Sequence, residues 1–109
     1  MLTKERIKEA ESNVNSYLEE GLLKKAIMNK QVMDIFLRNA KESLRVAEEV
    51  HQKNISELWA IVCSYYSMYY SANAVLLKLG YKVGEKIVHK VTSDAIIVYV
   101  RGKLKGSLI

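Results

Sequence analysis

The chain has 109 residues, half of them apolar, with no proline, five glycines and a formal charge of +5. That is enough for one domain spanning residues 1–109 and too little for two. The scarcity of turn residues argues against a turn-rich β fold and for long helices with short connections. A lone cysteine, Cys63, excludes an internal disulfide and suits a small buried hydrophobe. The absence of a leading apolar signal segment fits a cytoplasmic protein.

The positive charge is unevenly placed. Residues 1–77 carry ten basic and ten acidic side chains, whereas residues 78–109 carry seven basic groups against Glu85 and Asp94. A localised basic region favours anionic partners such as nucleic acid. Ordinary solubility is the competing explanation, because small soluble domains often carry a charge of this size.

The first helix is predicted over Thr3–Glu20, with Thr3 as cap, Leu2 and Ile7 as a hydrophobic staple and Gly21 as terminator. Its apolar stripe is thin (Ile7, Ala10, Val14, Tyr17, Leu18), so it is expected on the outside. A second helix is predicted over Leu23–His51. Met33, Phe36, Leu37, Ala40, Leu44, Ala47 and Val50 recur at three-to-four spacing on one face, with charges such as Asp34, Arg38, Arg45 and Glu49 on the other.

The third helix follows Gln52-Lys53-Asn54, with Asn54 and Glu57 as a capping-box pair, and runs to Leu79 before Gly80. Leu58 to Leu77 is twenty residues without a formal charge, yet it holds four tyrosines, three serines and an asparagine. That is too polar for a membrane span, so no membrane is expected, and the segment reads as the most buried helix of the fold. Residues Tyr81–Glu85 read as a loop. A fourth helix is predicted over Lys86–Arg101, because a β-branched strand at Ala95–Val100 would have no partner. Gly102 and Gly106 loosen the tail. The result is an all-α, up-and-down bundle of four helices.

No glycine-rich phosphate loop, Cys/His cluster or nucleophile elbow occurs, so neither metal nor cofactor is expected. His51 sits in a polar helix end and reads as a partner of the helix dipole. Lys82, Lys86, His89 and Lys90 form the candidate site: on a helix Lys86, His89 and Lys90 share a face, a cationic cluster suited to phosphate, with His89 able to move a proton. The alternative is an ordinary histidine at a helix start on a basic surface.

The segment from Trp59 to Tyr81, with its Tyr-Tyr-Ser-Met-Tyr-Tyr-Ser-Ala core, then Leu-Leu-Lys, a glycine and a lysine-rich loop leading to His89-Lys90, resembles the central part of HEPN domains. The resemblance is specific from Trp59 to about Lys90. It implies a helical bundle, commonly a homodimer, that binds nucleotide or RNA and often accompanies a minimal nucleotidyltransferase in a toxin–antitoxin pair. Many members are ribonucleases whose motif is an arginine followed four to six residues later by a histidine. Here no arginine lies between Arg45 and Arg101, and the nearest cation at similar distance before His89 is Lys82. Lysine lacks the planar fork that clamps a phosphate, so the expectation is a non-catalytic subunit. A metal-independent ribonuclease using His89 and a structural dimerisation module are the alternatives. Such domains usually continue into a further helix. The chain, ending on Ser107-Leu108-Ile109, is therefore expected either to be cut short or to cover its spare apolar surface with a second copy of itself.

Overall fold

Among residues 2–101, which the computed structural model describes, there are four α-helices and one two-stranded sheet: α1 (Lys4–Glu20), β1 (Leu23–Lys25), α2 (Lys30–Gln52), α3 (Glu57–Lys78), β2 (Tyr81–Val83) and α4 (Val88–Ala95), which continues as a π-helical stretch over Ile96–Val100. The chain is mostly helical, as a helical bundle requires. No helix among these residues is long and apolar enough to cross a membrane. The glycines and lysines of the tail, and Ser107-Leu108-Ile109, lie outside the described residues.

The chain divides into two compact units. The first joins the residues up to Met28 to those from Val75 onward. Here α1 begins as its sequence dictates: Thr3 is extended, its hydroxyl accepts the Arg6 N–H at 3.0 Å, and the helix ends at Gly21 in the left-handed conformation that glycine adopts without strain. As expected, α1 lies on the outside, with ten of its 17 residues exposed; only Ala10, Val14 and Tyr17 of its stripe are buried, where α1 packs along α4, the π-helical stretch and β1. A thin stripe suffices because its members are small or aromatic and meet three elements at once.

The predicted second helix starts too early. Leu23–Lys25 is a strand, paired antiparallel with Tyr81–Val83, a strand where the sequence predicts a loop; Leu23 faces Val83, Lys24 faces Lys82 and Lys25 faces Tyr81. Two flanking backbone bonds extend the ladder, Ala26 N–H to the Gly80 carbonyl at 2.8 Å and Gly84 N–H to the Leu22 carbonyl at 2.9 Å. Gly80, at φ +95°, makes the turn from α3 into β2. Around this hairpin Val14, Tyr17, Leu23, Leu76, Val91 and Ala95 form the core. Tyr81 stacks on Tyr99 with ring centroids 4.0 Å apart, and this fastens β2 to the π-helical stretch. The fourth helix begins at Val88 rather than Lys86, because Ile87 takes a left-handed conformation (φ +44°) and interrupts any helix through Lys86. Ala95–Val100 is helical, as argued from its lack of a strand partner.

The second unit, Asn29–Ala74, holds α2 and most of α3. Asn29 caps α2 by accepting the Gln31 and Val32 N–H groups. Arg45 bonds Glu42 and Glu49 along its outer face, and Asp34 pairs with Lys30. Such exposed pairs contribute little to stability. Asn54 does not cap α3. It lies in the left-handed region (φ +54°), which asparagine tolerates, and Ser56 takes the Trp59 N–H at 3.2 Å instead. The Ser67 hydroxyl donates to the Ala40 carbonyl at 2.8 Å, a bond that small residues on both helices permit. The expectation that α3 is the most buried element is overturned: Leu58, Ile61 and Met68 are 67, 68 and 66% exposed. Within this unit α2 is the one other helix, and a single neighbour covers one face of a cylinder.

Candidate anion-binding cleft and a buried charge cluster

The hairpin register sets two lysines directly across from each other. Lys24 on β1 and Lys82 on β2 are exposed partners, and Lys86 follows in the turn before α4. The three border a cleft of about 410 Å³ whose wall also includes Gly21, Gly84 and the acids Glu20 and Glu85. Like charges opposite one another on adjoining strands repel, at a cost that a bound anion relieves. Among the described residues none of these three ammonium groups has a carboxylate within ion-pair distance, so their charge is directed at solvent.

The four residues singled out from sequence thus divide. Lys82 and Lys86 stand on the cleft. His89 and Lys90 lie in the first turn of α4, both exposed. The shared helical face of Lys86, His89 and Lys90 does not form, because Lys86 precedes the helix and Ile87 turns the chain between them. Lys90 is engaged elsewhere: its Nζ donates to Tyr17 Oη at 3.0 Å, sits 5.6 Å from the Tyr17 ring centroid and lies 3.5 Å from Asp94 Oδ2. The Tyr17 hydrogen bond, against some loss of hydration and together with the Asp94 charge, raises the Lys90 pKa and keeps it an ammonium. Lys24 escaped the sequence reading because Leu23-Lys24-Lys25 was assigned to a helix. The signal that marks it is Gly21 just before and Gly80 and Gly84 around its partner strand.

Asp94 was also missed, and it is the most distinctive polar residue of the fold. Fully buried, it sits in α4 beneath α1. Tyr17 Oη donates to its Oδ2 at 2.7 Å and Asn13 Nδ2 at 3.2 Å. Arg6 Nη2 approaches Oδ1 at 2.7 Å as an ion pair without a well-directed hydrogen bond, so Oδ1 and Arg6 Nη1 both remain short of hydrogen-bond partners. Burial pushes the Asp94 carboxyl up, but the Tyr17 hydrogen bond, the close Arg6 guanidinium with its charge and the Asn13 hydrogen bond outweigh it and hold the pKa below the usual aspartate range. The Tyr17 phenol moves the other way, raised chiefly by burial. A carboxylate of lowered pKa, sealed from solvent and ringed by donors, is a poor general base and fastens α1 to α4 instead. Its sequence signal was a lone acid immediately before the apolar run Ala95–Val100, four residues beyond Lys90.

This arrangement carries a pH dependence. Because the folded-state pKa of Asp94 is depressed, its stabilisation is fully present above the ordinary aspartate pKa and is lost as pH falls through the lower folded value. Urea midpoints measured between about pH 6 and pH 3 are expected to fall with acidification below about pH 4, and to fall less steeply in Asp94→Asn. Parallel curves for the two proteins exclude Asp94 as the source.

Among the described residues no three His, Cys, Asp or Glu side chains gather to hold a metal. No family model, curated protein or solved structure matches the chain.

Proposed function

We propose that this chain is a HEPN-like helical subunit that binds the phosphates of a nucleotide or RNA at the lysine-bordered cleft of its hairpin, and is itself non-catalytic. The observation that carries this reading is the placement of Lys24 opposite Lys82, with Lys86 on the same cleft of about 410 Å³ and, among the described residues, no carboxylate within ion-pair distance of any of them. A cationic cleft open to solvent attracts anions through charge and the release of their counterions. The positive excess of the last third of the chain and the likeness of the segment from Trp59 to Lys90 to HEPN domains support the same reading. Non-catalysis rests on chemistry: Lys82, Lys86 and Lys24 neutralise charge but offer no bidentate clamp for a scissile phosphate. The likeness adds a minimal nucleotidyltransferase as partner, in a toxin–antitoxin-type pair working in the cytoplasm.

The test is titration of a labelled single-stranded RNA, and separately of ATP, against the wild type and the triple variant Lys24→Glu, Lys82→Glu, Lys86→Glu. All three positions are exposed, so the variant is expected to fold, checked by circular dichroism. Wild-type RNA affinity should fall steeply with salt, and removing three phosphate contacts should flatten the slope of log affinity against log salt by about 2. Binding that ignores both salt and the triple change removes the phosphate reading. RNA cleavage in the presence of a chelator, abolished by His89→Ala, would instead make the chain a ribonuclease.

A further inference from the structure

We infer that the open groove between α2 and α3 is a docking site for an amphipathic helix of another protein, one that carries a lysine or arginine at one end of its apolar stripe. The inference stands apart from the phosphate reading, since none of the residues lining this groove borders the lysine cleft.

The groove arises from packing inside the second unit. The Ser67 hydroxyl reaches the Ala40 carbonyl at 2.8 Å, and about two turns further along each helix, in opposite senses, Ala47 and Ala60 line the same groove. The two helices therefore run antiparallel, with small residues where they meet. Ala47 and Ala60 are buried and form the floor, while Leu44, Ile61, Tyr65 and Met68 line the groove and stay between 39 and 68% exposed. Its volume is about 660 Å³. At 1.5 Å per residue the stretch from Glu57 to Met68 is about 16 Å long, or three helical turns. A pocket for a small molecule encloses most of its ligand, whereas this groove lies open along its length. A third helix with apolar residues at intervals of three and four covers such a surface, and the alanine floor lets its axis come close.

Charge selects among helices. Glu48 and Glu57 line the groove where α2 ends and α3 begins, and no lysine or arginine lines it among the described residues. Among those residues neither carboxylate has a basic group within ion-pair distance. From Leu58 to Leu77 no side chain of α3 is charged, so the groove is acidic at one end and apolar along the rest. A partner that covers it desolvates the two carboxylates, which is unfavourable unless a cation meets them. A lysine or arginine at the acid end supplies that cation. A second copy of this chain is a poor fit, because its uncharged α3 face brings apolar surface but no cation. Nucleic acid and anionic lipid surfaces are repelled by the same two acids.

Fluorescence anisotropy of labelled synthetic peptides against the full chain tests the groove. The probe is a capped alanine- and glutamine-based helix of about four turns, with leucines at intervals of three and four and two lysines at one end of the stripe. It can enter in either direction with its lysines at the acid end. One control has glutamates in place of the lysines, and a second has the probe's composition with the stripe scrambled. The probe is expected to bind at roughly micromolar to tens of micromolar concentration, and about tenfold more tightly than either control. The chain itself carries a formal charge of +5, so attraction by net charge alone gives the opposite order for the two charged stripes. Glu48→Lys with Glu57→Lys, both exposed, should reverse that order, and Glu48→Gln with Glu57→Gln, which should abolish the preference, serves if the reversed pair does not fold by circular dichroism. Leu44→Ser and Ile61→Ser, also exposed, should each weaken the probe about tenfold. A wild type that does not bind the probe, whether or not sedimentation shows a second copy covering the groove, overturns the proposal. So does equal binding of all three peptides, or a preference for lysine that survives the changes at Glu48 and Glu57.

Discussion

Replacing Asp94 with alanine is expected to cost about 3 kcal/mol of folding free energy and to lower the melting temperature by roughly 15 °C. The expectation rests on what the carboxylate leaves behind. Asp94 accepts from Tyr17 and Asn13 and pairs with Arg6, while Lys90 stands 3.5 Å from Oδ2. Removing it strands a buried phenol and a guanidinium whose Nη1 already has no partner. A buried charge or donor without its partner costs far more than the net worth of the intact pair. Arg6 is 33% exposed in its side chain and can turn part of its charge to water, which keeps the loss at the lower end of what a broken buried pair costs. Urea denaturation measures the loss, and a double-mutant cycle with Tyr17→Phe apportions it. The two residues share a 2.7 Å hydrogen bond, so a coupling of about 1 kcal/mol or more is expected. A loss under about 1 kcal/mol for Asp94→Ala would mean that the cluster is not what joins α1 to α4.

Leu23→Ala is expected to be comparably severe, at about 3 kcal/mol. Leu23 is fully buried on β1, opposite Val83, in the core with Val14, Tyr17, Leu76 and Val91. Truncation loses the burial of the side chain and leaves a void between strand and helices that rigid neighbours fill only in part. The adjacent Lys24 and Lys25 are exposed, and their alanine variants should stay within about 0.5 kcal/mol of the wild type. The contrast between one sensitive position and two tolerant neighbours is the mark of a strand with one face on a core. Equal tolerance at all three, read by urea denaturation, would return the segment to an exposed helix start.

The local signals in this chain were strong where the chemistry is local. Thr3 and Gly21 bound α1 because a hydroxyl cap and a left-handed glycine act within one turn. The recurrence of apolar residues through Met33–Val50 and the long uncharged run from Leu58 were enough to mark α2 and α3 as helices. The helical fold class follows from these elements. A lysine cluster near Lys82 and Lys86 was likewise visible as composition.

What tertiary structure decided was non-local. Leu23-Lys24-Lys25 is a strand because Tyr81–Val83, more than fifty residues away, supplies its hydrogen bonds. No helix or strand propensity in a three-residue segment outweighs that pairing. The same pairing moved Lys24 next to Lys82, so the cleft contains a lysine from a distant part of the chain, while Lys90 was drawn away from it by Tyr17 and Asp94. Asp94 reads in sequence as one acid between Thr92-Ser93 and an apolar run; its meaning lies in Arg6, Asn13 and Tyr17 of another helix, which only packing brings within reach. The burial of α3 was misjudged for a related reason. Periodicity tells which residues share a face of a helix, but whether that face meets a neighbour or solvent depends on how many elements surround it, and sequence determines the first and packing the second.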